Sequence, residues 1–569
     1  MAAFSEENLR SNLSALAVRA PSLVARLCEP VESDHVEMIA AASGSPTAAL
    51  RHPGRVFLHS ASDPVEEARS ASRSFNGGCR RGILCLGLGL GYYLDAILKE
   101  SDPCRPVLAY ERDPWLLRLA FRCFDFSRDI LAGRVRFLLG TDLVRLSQED
   151  LRDCFVWSHP VLGAVYEEER HFVEAGASGR GQRALIGAGG LFVSDLADAL
   201  RREGYSVLTW DPRRVSENES RHQMKTLDPH LVVTVNLCRG LPEICESLGI
   251  PLVVWEVDPS IERPLPGNRE LGRSFIYTYK KSNVSLYRAA GFRHVEYLPL
   301  AANPRRRYPM ELDEQETGRY GAEVSFVGSS MVSQAEALTH LYRKLTEQSS
   351  RDEGAGAASP LDYGQIFSMA LERQAGECDR YVIEEMFAGR DAEGVPRSCV
   401  PDSQGRLVDL ACCIGEVAAS RRRMQVLSRL DGFQVDLWGD EGWKGHLPEN
   451  ISYRGPAGHF RELTLIYNAS RVNLDINRIY QKDIATMRVF DVIACRGFVL
   501  ADYSDALPDL FDVGTEVVAY RTLDELPRLV EYFLLHPSER ESVAAAGYRR
   551  LLKEHTIRKR LQHMLNHLP

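Results

Sequence analysis

The stretch RVNLDINRIYQKDIATMRVFDVIACRGFVLAD, Arg471–Asp502, decides the fold of the C-terminal part of this chain. Its two ends, RVNLDIN and GFVLAD, have the short, largely apolar pattern of buried β-strands, and RVFDVIAC between them has the pattern of an amphipathic helix. A strand, a helix and a second strand in this order predict neighbouring parallel strands joined by a right-handed crossover.

The same alternation extends outward from this stretch. Strand patterns precede it in EVSFVG, FQVDLWG and NISYRG and follow it in EVVAYR, and the C-terminal tail has the pattern of several helices. A polar, helix-rich segment separates the first of these strands from the second. We therefore predict an α/β domain at residues 316–569 with a helical insertion at about 331–429.

Two further blocks of alternating strands and helices lie upstream. Residues 181–315 contain continuous apolar runs such as LVVTV and PLVVW, which are typical of a sheet covered on both faces. Residues 1–180 contain GILCLG, PVLAYE and VRFLLG with helical segments between them. The predicted fold class is α/β, with two facing Rossmann-like domains preceded by a further Rossmann-like domain. Ligands bind beyond the carboxyl ends of strands in open sheets, so we expect a binding cleft between the two facing domains.

Composition limits the classes of function and the compartment. A chain of 569 residues is too long for one hydrophobic core. A net charge of −9 argues against a general nucleic-acid binder, and no run has the length and hydropathy of a signal peptide or a membrane span. The 13 cysteines are scattered without a CxxC pair, which favours reduced thiols. We therefore predict a cytoplasmic protein with no nucleic-acid partner and no integral membrane segment.

A glycine-rich turn follows the strand GILCLG. Gly87, Gly89 and Gly91 have the G-x-G-x-G spacing of S-adenosylmethionine-dependent methyltransferases rather than the dinucleotide-binding spacing. Glu111 ends the next strand, where an acidic side chain would bind ribose hydroxyls, and Asp142 could then lie near an adenine. The alternative is that the glycines serve packing and Glu111 caps a turn. S-adenosylmethionine is thus a candidate cofactor, and a structural or nucleotide-binding role is the favoured interpretation of the turn.

The N-terminal block also resembles a known group of proteins. VFLHSASDPVEEARS, followed by GILCLGLGLGYYLDAIL and AYERDP, resembles the start of the motility-associated-factor group of bacterial flagellin glycosyltransferases. In that group a Rossmann-like domain accompanies sugar transfer. The resemblance implies that flagellin or another surface protein is the acceptor.

The C-terminal block carries a longer resemblance. The sequence from Tyr467 to Arg560 resembles the C-terminal domain of the CgeB-like (spore-maturation-type) glycosyltransferases, with support from VSFVGS, LWGDEGW and SYRGPA upstream. PHLVVTVN, LGIPLVVWEVDPS and VEYLPLAANP extend it more weakly over the second block. The resemblance implies a GT-B fold and a hexosyltransferase-type enzyme that moves a sugar from a nucleotide-sugar donor to a protein or glycan acceptor. Such an enzyme requires no cofactor, since the nucleotide sugar is a substrate.

The donor-site candidates follow from what a diphosphate requires, which is backbone N–H groups and cations. Gly328, Ser329 and Ser330 form a turn after a strand, Gly439 could let the backbone approach the base, and Arg488 and Lys482 are candidate phosphate-binding cations. Three polar residues alternate along VNLDIN and would point to the cleft: Asn473, Asp475 and Asn477. The alternatives are that Arg488 is an exposed helix residue and that Asp475 and Asn477 cap the next turn.

One further donor residue comes from the CgeB-like resemblance alone. In that family an R-x-F-E motif places a glutamate on the ribose hydroxyls. Asp491 stands at this position here and is one methylene shorter. The resemblance therefore implies that Asp491 binds the ribose hydroxyls.

The catalytic candidates lie in the second block. Glu256 and Asp258 follow PLVVW and could act as the base on the acceptor hydroxyl, although a helix cap before Pro259 explains an acidic residue there equally well. Lys280 and Lys281 could line the same space, and a glycine turn at Gly187, Gly189 and Gly190 could face it. The sequence has no Asp-x-Asp pair, so we predict no metal site and a metal-independent reaction.

Two rival functions remain open from the sequence. The first is a bifunctional enzyme whose glycine loop, Gly87–Gly91, binds S-adenosylmethionine and methylates the sugar or the acceptor. The second is a non-catalytic scaffold that keeps the fold without the activity, which the Asp491 substitution keeps open. The sequence does not decide between retention and inversion at the anomeric carbon.

Overall fold

The computed structural model describes residues 4–51, 55–73, 81–174, 181–187, 190–264, 271–352, 363–387, 389, 398–403, 405–445 and 447–568. The chain divides into two compact units, one of Met1–Glu256 with Leu271–Phe275 and one of Val257–Glu270 with Ile276–Pro569. The boundaries proposed from the sequence, at 180/181 and 315/316, stay a prediction.

The first unit begins with a small antiparallel sheet and a four-stranded parallel sheet. The antiparallel sheet has the order β1-β2-β3, and the parallel sheet has the order β6-β5-β4-β7. A 3-10 helix, Gly140–Arg145, follows β6. The elements are α1 Glu6–Arg19, α2 Pro21–Leu27, β1 Val36–Ala40, β2 Pro46–Leu50, β3 Val56–Phe57, α3 Pro64–Arg73, β4 Gly82–Leu86, α4 Tyr92–Glu100, β5 Val107–Glu111, α5 Pro114–Cys123, α6 Ser127–Leu131, β6 Val135–Leu139, α7 Gln148–Asp153, β7 Cys154–Ser158, α8 Leu162–Val165 and α9 Glu167–Glu174.

A second parallel sheet follows in the same unit. Its strand order is β11-β10-β8-β9, and β11 is buried along its whole length, as the continuous apolar pattern predicts. The strand β13 contributes residues to both units. The elements are β8 Arg183–Gly187, α10 Val193–Arg202, β9 Ser206–Trp210, α11 Glu217–Leu227, β10 Leu231–Val235, α12 Leu241–Leu248, β11 Leu252–Glu256 and β13 Leu271–Thr278. The strand β12, Glu262–Arg263, belongs to the second unit.

The second unit is built on a six-stranded parallel sheet of order β19-β18-β15-β20-β21-β22. Short 3-10 helices lie at Ile383–Phe387 and Glu441–Trp443. The remaining elements are α13 Asn283–Ala289, β14 Phe292–Tyr297, α14 Glu314–Tyr320, β15 Ala322–Val327, α15 Val332–Asp352, α16 Tyr363–Gly376, β16 Cys399–Pro401, β17 Leu407–Asp409, α17 Leu410–Ser428, β18 Val435–Trp438, β19 Ile451–Gly455, α18 Arg461–Ala469, β20 Ser470–Leu474, α19 Met487–Ala494, β21 Val499–Asp502, α20 Leu507–Leu510, β22 Val518–Tyr520, α21 Glu525–Leu535, α22 Pro537–Glu554 and α23 Ile557–Asn566.

The crossover at Arg471–Asp502 is present as predicted. β20 and β21 are parallel neighbours, with Asn473 opposite Val499, and α19 connects them. Val472 and Leu474 on β20 have no exposed surface, so this strand is central to the core. The α/β class with several parallel sheets is therefore confirmed, whereas the facing of the second and third domains stays a prediction.

The region 331–429 holds the helices α15, α16 and α17 and the short strands β16 and β17. These helices share a hydrophobic core that includes Tyr342, Ala370 and Ile414. Asp409 begins α17 by accepting a hydrogen bond from the backbone N–H of Cys412 at 3.2 Å, and it also pairs with Arg263 at 2.9 Å. The helix α17 is thereby fixed in orientation, which matters because it carries one of the site residues described below.

No helix within the described ranges combines the length and the hydropathy that crossing a membrane requires.

Candidate functional site

The turn after β15 lies at the carboxyl edge of the six-stranded sheet. The backbone N–H of Gly328 donates to the carbonyl of Trp438 at 2.9 Å, and the indole N–H of Trp443 donates to the carbonyl of Gly328 at 2.8 Å. A Cβ on Gly328 would lie 3.0 Å from Nη2 of Arg488. Glycine at this position therefore lets a guanidinium group rest against the turn.

Asp440 fixes the two serines of this turn. Its carboxylate accepts hydrogen bonds from the hydroxyls of Ser329 and Ser330, both at 2.5 Å, and from the backbone N–H of Ser330 at 2.8 Å. Burial alone would raise the pKa of Asp440, but the hydrogen bonds from Ser329 and Ser330 outweigh it and lower the pKa. The turn is thus shaped before any ligand arrives.

Arg488, in the first turn of α19, lies against the same turn. Its Nε donates to the carbonyl of Val327 at 2.8 Å, and its Nη1 pairs with Oδ1 of Asp475 at 2.5 Å. Asp475 also accepts a hydrogen bond from the hydroxyl of Thr486 at 2.7 Å. Only 13% of the Arg488 side chain is exposed, so it is not the freely solvated helix residue of the alternative interpretation.

Arg423, on α17, reaches the turn from the insertion. Its Nη1 donates to the carbonyl of Ser329, and its Nε has no hydrogen-bond partner among the described residues. Burial, together with the positive charges of Arg488 and Arg478, lowers the pKa of Arg423 to about 9. Three guanidinium groups, hereafter the arginine cluster (Arg423, Arg478 and Arg488), are therefore brought together.

Arg478 completes the cluster beside two acidic residues. Its Nε lies 3.4 Å from Oε2 of Glu416, a buried residue of α17 that also accepts a hydrogen bond from the hydroxyl of Tyr480. Burial works to lower the pKa of Arg478, but negative charges, first that of Glu416 and also that of Asp258, raise it. Asp258, a predicted catalytic residue, is thus within electrostatic range of the cluster.

The other candidates from the second block lie as follows. Glu256 is buried at the end of β11 in the first unit. Nζ of Lys280 lies 5.9 Å from the ring centroid of Tyr480, and Nζ of Lys281 pairs with Asp509 at 2.5 Å. Gly187 ends β8, Gly190 follows it, and Gly189 lies outside the described residues.

The polar residues after β20 organise the backbone around the site. Asn477 receives a hydrogen bond from the backbone N–H of Arg478 at 2.9 Å and donates from Nδ2 to the carbonyl of Gln481 at 2.7 Å. Asn473 is buried and accepts a hydrogen bond from the hydroxyl of Ser325 at 3.0 Å, so its amide lies between strands. The ammonium group of Lys482 donates to the carbonyl of Asp379 at 3.4 Å, and burial lowers its pKa.

Asp491 and Gly439 make contacts that stabilise the unit itself. Asp491 forms a buried ion pair with Nε of Arg307 at 3.1 Å. A Cβ on Gly439 would lie 2.2 Å from the carbonyl oxygen of Gly328 and 2.5 Å from Nε1 of Trp443. Glycine is required at position 439 because two backbone segments and an indole meet there.

The glycine loop of the first unit is packed against side chains of that unit. Gly89 has a φ of +57°, and a Cβ on it would lie 2.6 Å from Nε2 of His59. The backbone N–H of Leu90 donates to Nε2 of His59, and that of Leu88 donates to Glu111, both at 2.9 Å. The loop N–H groups of Leu88 and Leu90 are therefore satisfied by the protein itself.

The acidic residues assigned to a cofactor in this unit are also engaged. Glu111 has no exposed surface and accepts a hydrogen bond from the hydroxyl of Tyr166. Burial raises the pKa of Glu111 to about 7. Asp142 pairs with Arg26 at 2.5 Å. The glycines at positions 87 and 91 also have positive φ angles, of +85° and +90°, as a tight turn requires.

A groove between α15 and α17 begins at the end of the serine turn. Its volume is about 400 Å³, within the range of ligand pockets. Ser420, which lines it, donates its hydroxyl to the carbonyl of Ser330 at 2.9 Å, so the groove adjoins the turn that Arg423 contacts. The other lining residues are small or charged: Val332, Ala335, Glu336, Thr339, His340, Arg343, Val417 and Arg421.

The sequence analysis missed Arg423, Arg478, Glu416 and Asp440. Arg423 lies in the run Arg421–Arg423 of a helix that was assigned to the insertion, and a helical pattern alone does not show which of three arginines points to the sheet. Arg478 directly follows the predicted Asn477, and Asp440 directly follows the predicted Gly439. Extending each predicted strand end by one residue would have included both.

One comparison with known proteins finds a similarity in the C-terminal part. A family model described as "Glycosyl transferase-like" matches residues 420–566, which include the whole arginine cluster. No curated protein matches the chain.

Solved structures give only a distant likeness. A glycosyltransferase from Rickettsia africae is 8% identical, with 68% of this chain and 97% of that chain covered and a TM-score of 0.38. Anabaena HepE in complex with UDP and glucose is 9% identical, with 68% and 99% covered and a TM-score of 0.37. The MAf glycosyltransferase of Magnetospirillum magneticum is 14% identical, with 54% and 65% covered and a TM-score of 0.24.

Proposed function

We propose that this chain is a glycosyltransferase that moves a sugar from a nucleotide-sugar donor to a protein or glycan acceptor. The observation that carries the proposal is the arginine cluster at the carboxyl edge of the six-stranded sheet, inside the region matched by the glycosyltransferase-like family model. The carboxyl edge of a parallel sheet is where open α/β sheets bind their ligands.

The charges of the cluster fit a diphosphate. Glu416 and Asp475 neutralise part of the positive charge, yet the pKa of Arg423 is still lowered by burial and by the two other guanidinium groups. A bound diphosphate would supply the missing negative charge and an acceptor for the Nε of Arg423. The same groups would stabilise the charge that develops on the diphosphate when the sugar leaves.

Within this proposal, Gly328 and Ser329 shape the turn that receives the diphosphate, and Arg488 binds it while Asp475 orients Arg488. Asn477 holds the segment that carries Arg478, and Lys482 is a further cation at that segment. Gly439 and Asp491 act by position, through the packing and the ion pair described above.

We propose Asp258 as the base that removes the proton from the acceptor hydroxyl, with Glu256 as the second candidate. Asp258 is supported by its electrostatic proximity to Arg478. Because three arginines are available for the leaving group, we propose a reaction that needs no metal ion.

The groove between α15 and α17 is our candidate for part of the acceptor site, because it adjoins the serine turn. The acceptor implied by the N-terminal resemblance is flagellin or another surface protein. We propose the cytoplasm as the compartment, on the basis of the scattered cysteines; Cys85, Cys245 and Cys413 are examples of free thiols.

The glycine loop gives no support to methyl transfer, since its N–H groups at Leu88 and Leu90 are bonded to Glu111 and His59. We therefore propose a packing role for the loop.

The test is donor binding and donor hydrolysis by the full chain with UDP, GDP, CDP and TDP sugars, with S-adenosylmethionine included in the thermal-shift screen. We expect stabilisation by one class of nucleotide sugar and loss of hydrolysis in Arg478→Ala and Arg488→Ala. Arg429→Ala is the matched control, because Arg429 ends the helix of Arg423 but pairs with the exposed Asp524 at 3.4 Å. Stabilisation by S-adenosylmethionine alone, or by none of these ligands, would contradict the proposal.

A further inference from the structure

The last helix, α23, is held against the segment after β14 in the second unit. The backbone N–H of Ile557 donates to the carbonyl of Ala302 at 3.0 Å, and that of Ala302 donates to the carbonyl of His555 at 3.2 Å. Nε of Arg560 donates to the carbonyl of Pro299 at 2.8 Å. One face of the C-terminal half of α23 thereby lies beside β14.

That face carries two histidines in reach of a carboxylate. His563 and His567 are four residues apart, a spacing that puts both imidazoles on one side of a helix. Nε2 of His563 lies 2.8 Å from Oε1 of Glu296 on β14, and Nδ1 of His567 lies 3.8 Å from Oε2 of the same carboxylate. The three candidate ligand atoms all lie within 4.8 Å of one another.

We propose that Glu296, His563 and His567 bind a divalent transition-metal ion of the zinc type. Tetrahedral zinc with bonds of about 2.1 Å separates its ligand atoms by about 3.4 Å. Oε1 of Glu296 is 2.8 Å from His563 and Oε2 is 3.8 Å from His567, and one ligand atom from each of the three residues lies within 4.8 Å of the others. Little movement would therefore turn the ion pair into a metal site.

The ligand set selects the class of metal. Two imidazoles and one carboxylate favour zinc and its neighbours over magnesium and calcium, which prefer oxygen ligands. The three side chains are 39%, 46% and 49% exposed for His563, Glu296 and His567, so an ion can enter from solvent and a water can complete the coordination. The hydroxyl of Tyr277 lies 3.3 Å from Nδ1 of His567, so it competes with the ion for that nitrogen, and it can donate instead to the carbonyl of Met564 at 3.4 Å when the ion binds.

The ion would connect a strand to the last helix. Bound metal stabilises a folded state that presents its ligands, so the site would fasten α23 to β14. It shares no residue with the arginine cluster, and it leaves the metal-independent sugar transfer proposed above untouched. Its test is therefore separate from that of the glycosyltransferase proposal.

The experiment uses the full chain, without a histidine tag and stripped of metal with a chelator. We expect one Zn²⁺ per chain by calorimetric titration and a higher Tm with Zn²⁺ present. Hydrogen exchange of the backbone amides of α23 should slow when Zn²⁺ is added. His563→Gln, His567→Gln and Glu296→Gln should each weaken Zn²⁺ binding at least tenfold and abolish the slowing. His536→Gln, at an exposed histidine between α21 and α22, should leave all three readouts unchanged.

Cobalt(II) distinguishes this site from the cysteines. A site of two imidazoles and one carboxylate gives visible d–d absorption without the near-ultraviolet band of thiolate-to-cobalt charge transfer. The proposal would be overturned by Zn²⁺ binding that persists unchanged in His563→Gln, or by a thiolate band in the cobalt spectrum. It would also be overturned if the wild type bound Zn²⁺ no more tightly than the double variant His563→Gln/His567→Gln. Circular dichroism of each variant checks that it is folded.

Discussion

Arg423 lies on α17, which precedes β18 in the chain, and Arg488 lies on α19, which follows it. Arg423 donates a hydrogen bond to the carbonyl of Ser329, and Arg488 donates one to the carbonyl of Val327, two residues earlier. Their carbonyl partners hold the guanidinium groups in place, while the positive charges of the two groups oppose each other. This arrangement is what we expect of a preorganised anion-binding site, in which the guanidinium groups are already in position and a bound anion supplies the compensating negative charge.

We predict that Arg423→Met weakens nucleotide-sugar binding by about 10- to 100-fold, the value of one to two charge-assisted hydrogen bonds. The free chain should be as stable as the wild type or more so, since a buried cation with a depressed pKa is removed. Calorimetric titration with the donor and urea unfolding without it measure the two effects. Arg429→Met should change neither, and a lower stability with unchanged donor affinity would show that Arg423 only supports the fold.

Glu111 should make the stability of the chain depend on pH. Burial raises its pKa from 4.5 to about 7, so between these values the folded chain holds a proton that the unfolded chain has released. Its contribution to stability is therefore fully present below about pH 4.5 and is lost as the pH rises through about 7. Urea unfolding at several pH values should show this loss in the wild type and a smaller one in Glu111→Gln. Equal pH dependence of the two proteins would refute the assignment.

Gly439→Ala should destabilise the second unit by about 2 kcal/mol or more, because its Cβ would lie 2.2 Å from the carbonyl oxygen of Gly328. The matched control is Gly432→Ala, at a position where a Cβ meets nothing within 4 Å and where we expect a change within about 0.5 kcal/mol. Urea or thermal unfolding measures both. Similar effects of the two substitutions would mean that the close approach at Gly439 is relieved by movement of the turn.

Substitutions in the ion pair of Asp491 and Arg307 can show whether Asp491 stabilises the fold or binds the ribose of the donor. Asp491→Asn should cost about 3–5 kcal/mol of stability, since the buried guanidinium of Arg307 loses its carboxylate partner and keeps only neutral acceptors at His459, Phe460 and Thr464. The double variant Arg307→Met/Asp491→Leu should recover part of that loss, and its donor affinity should stay within about threefold of the wild type. A donor affinity that remains tenfold or more lower in the stable double variant would instead support ribose binding by Asp491.

The sequence predicted the crossover at Arg471–Asp502 because the strand and helix patterns there are undisturbed and the chain returns to the same sheet. It also proposed Ser329, Asp475 and Arg488 as donor-site residues, and these lie near strand ends or at the start of the following helix. Arg423 was not predicted, because a long-range contact between an inserted helix and a turn produces no local pattern in the sequence.

For the glycine loop, the sequence predicted the backbone turn but not the side chains that pack against it. Gly87, Gly89 and Gly91 do adopt positive φ angles, so the tight turn was correctly predicted. What no spacing could reveal is that His59 comes from a distant part of the sequence and lies where a side chain on Gly89 would be. Whether a turn binds a ligand depends on such neighbours as much as on its glycines.

The origin of Arg423 on α17 has a consequence for how this fold can be shortened or recombined. A trimmed chain that kept the six parallel strands but dropped the inserted helices would retain Arg478 and Arg488 and lose the third guanidinium, together with the hydroxyl of Ser420 that holds the serine turn. The insertion thus supplies part of the diphosphate site that we propose.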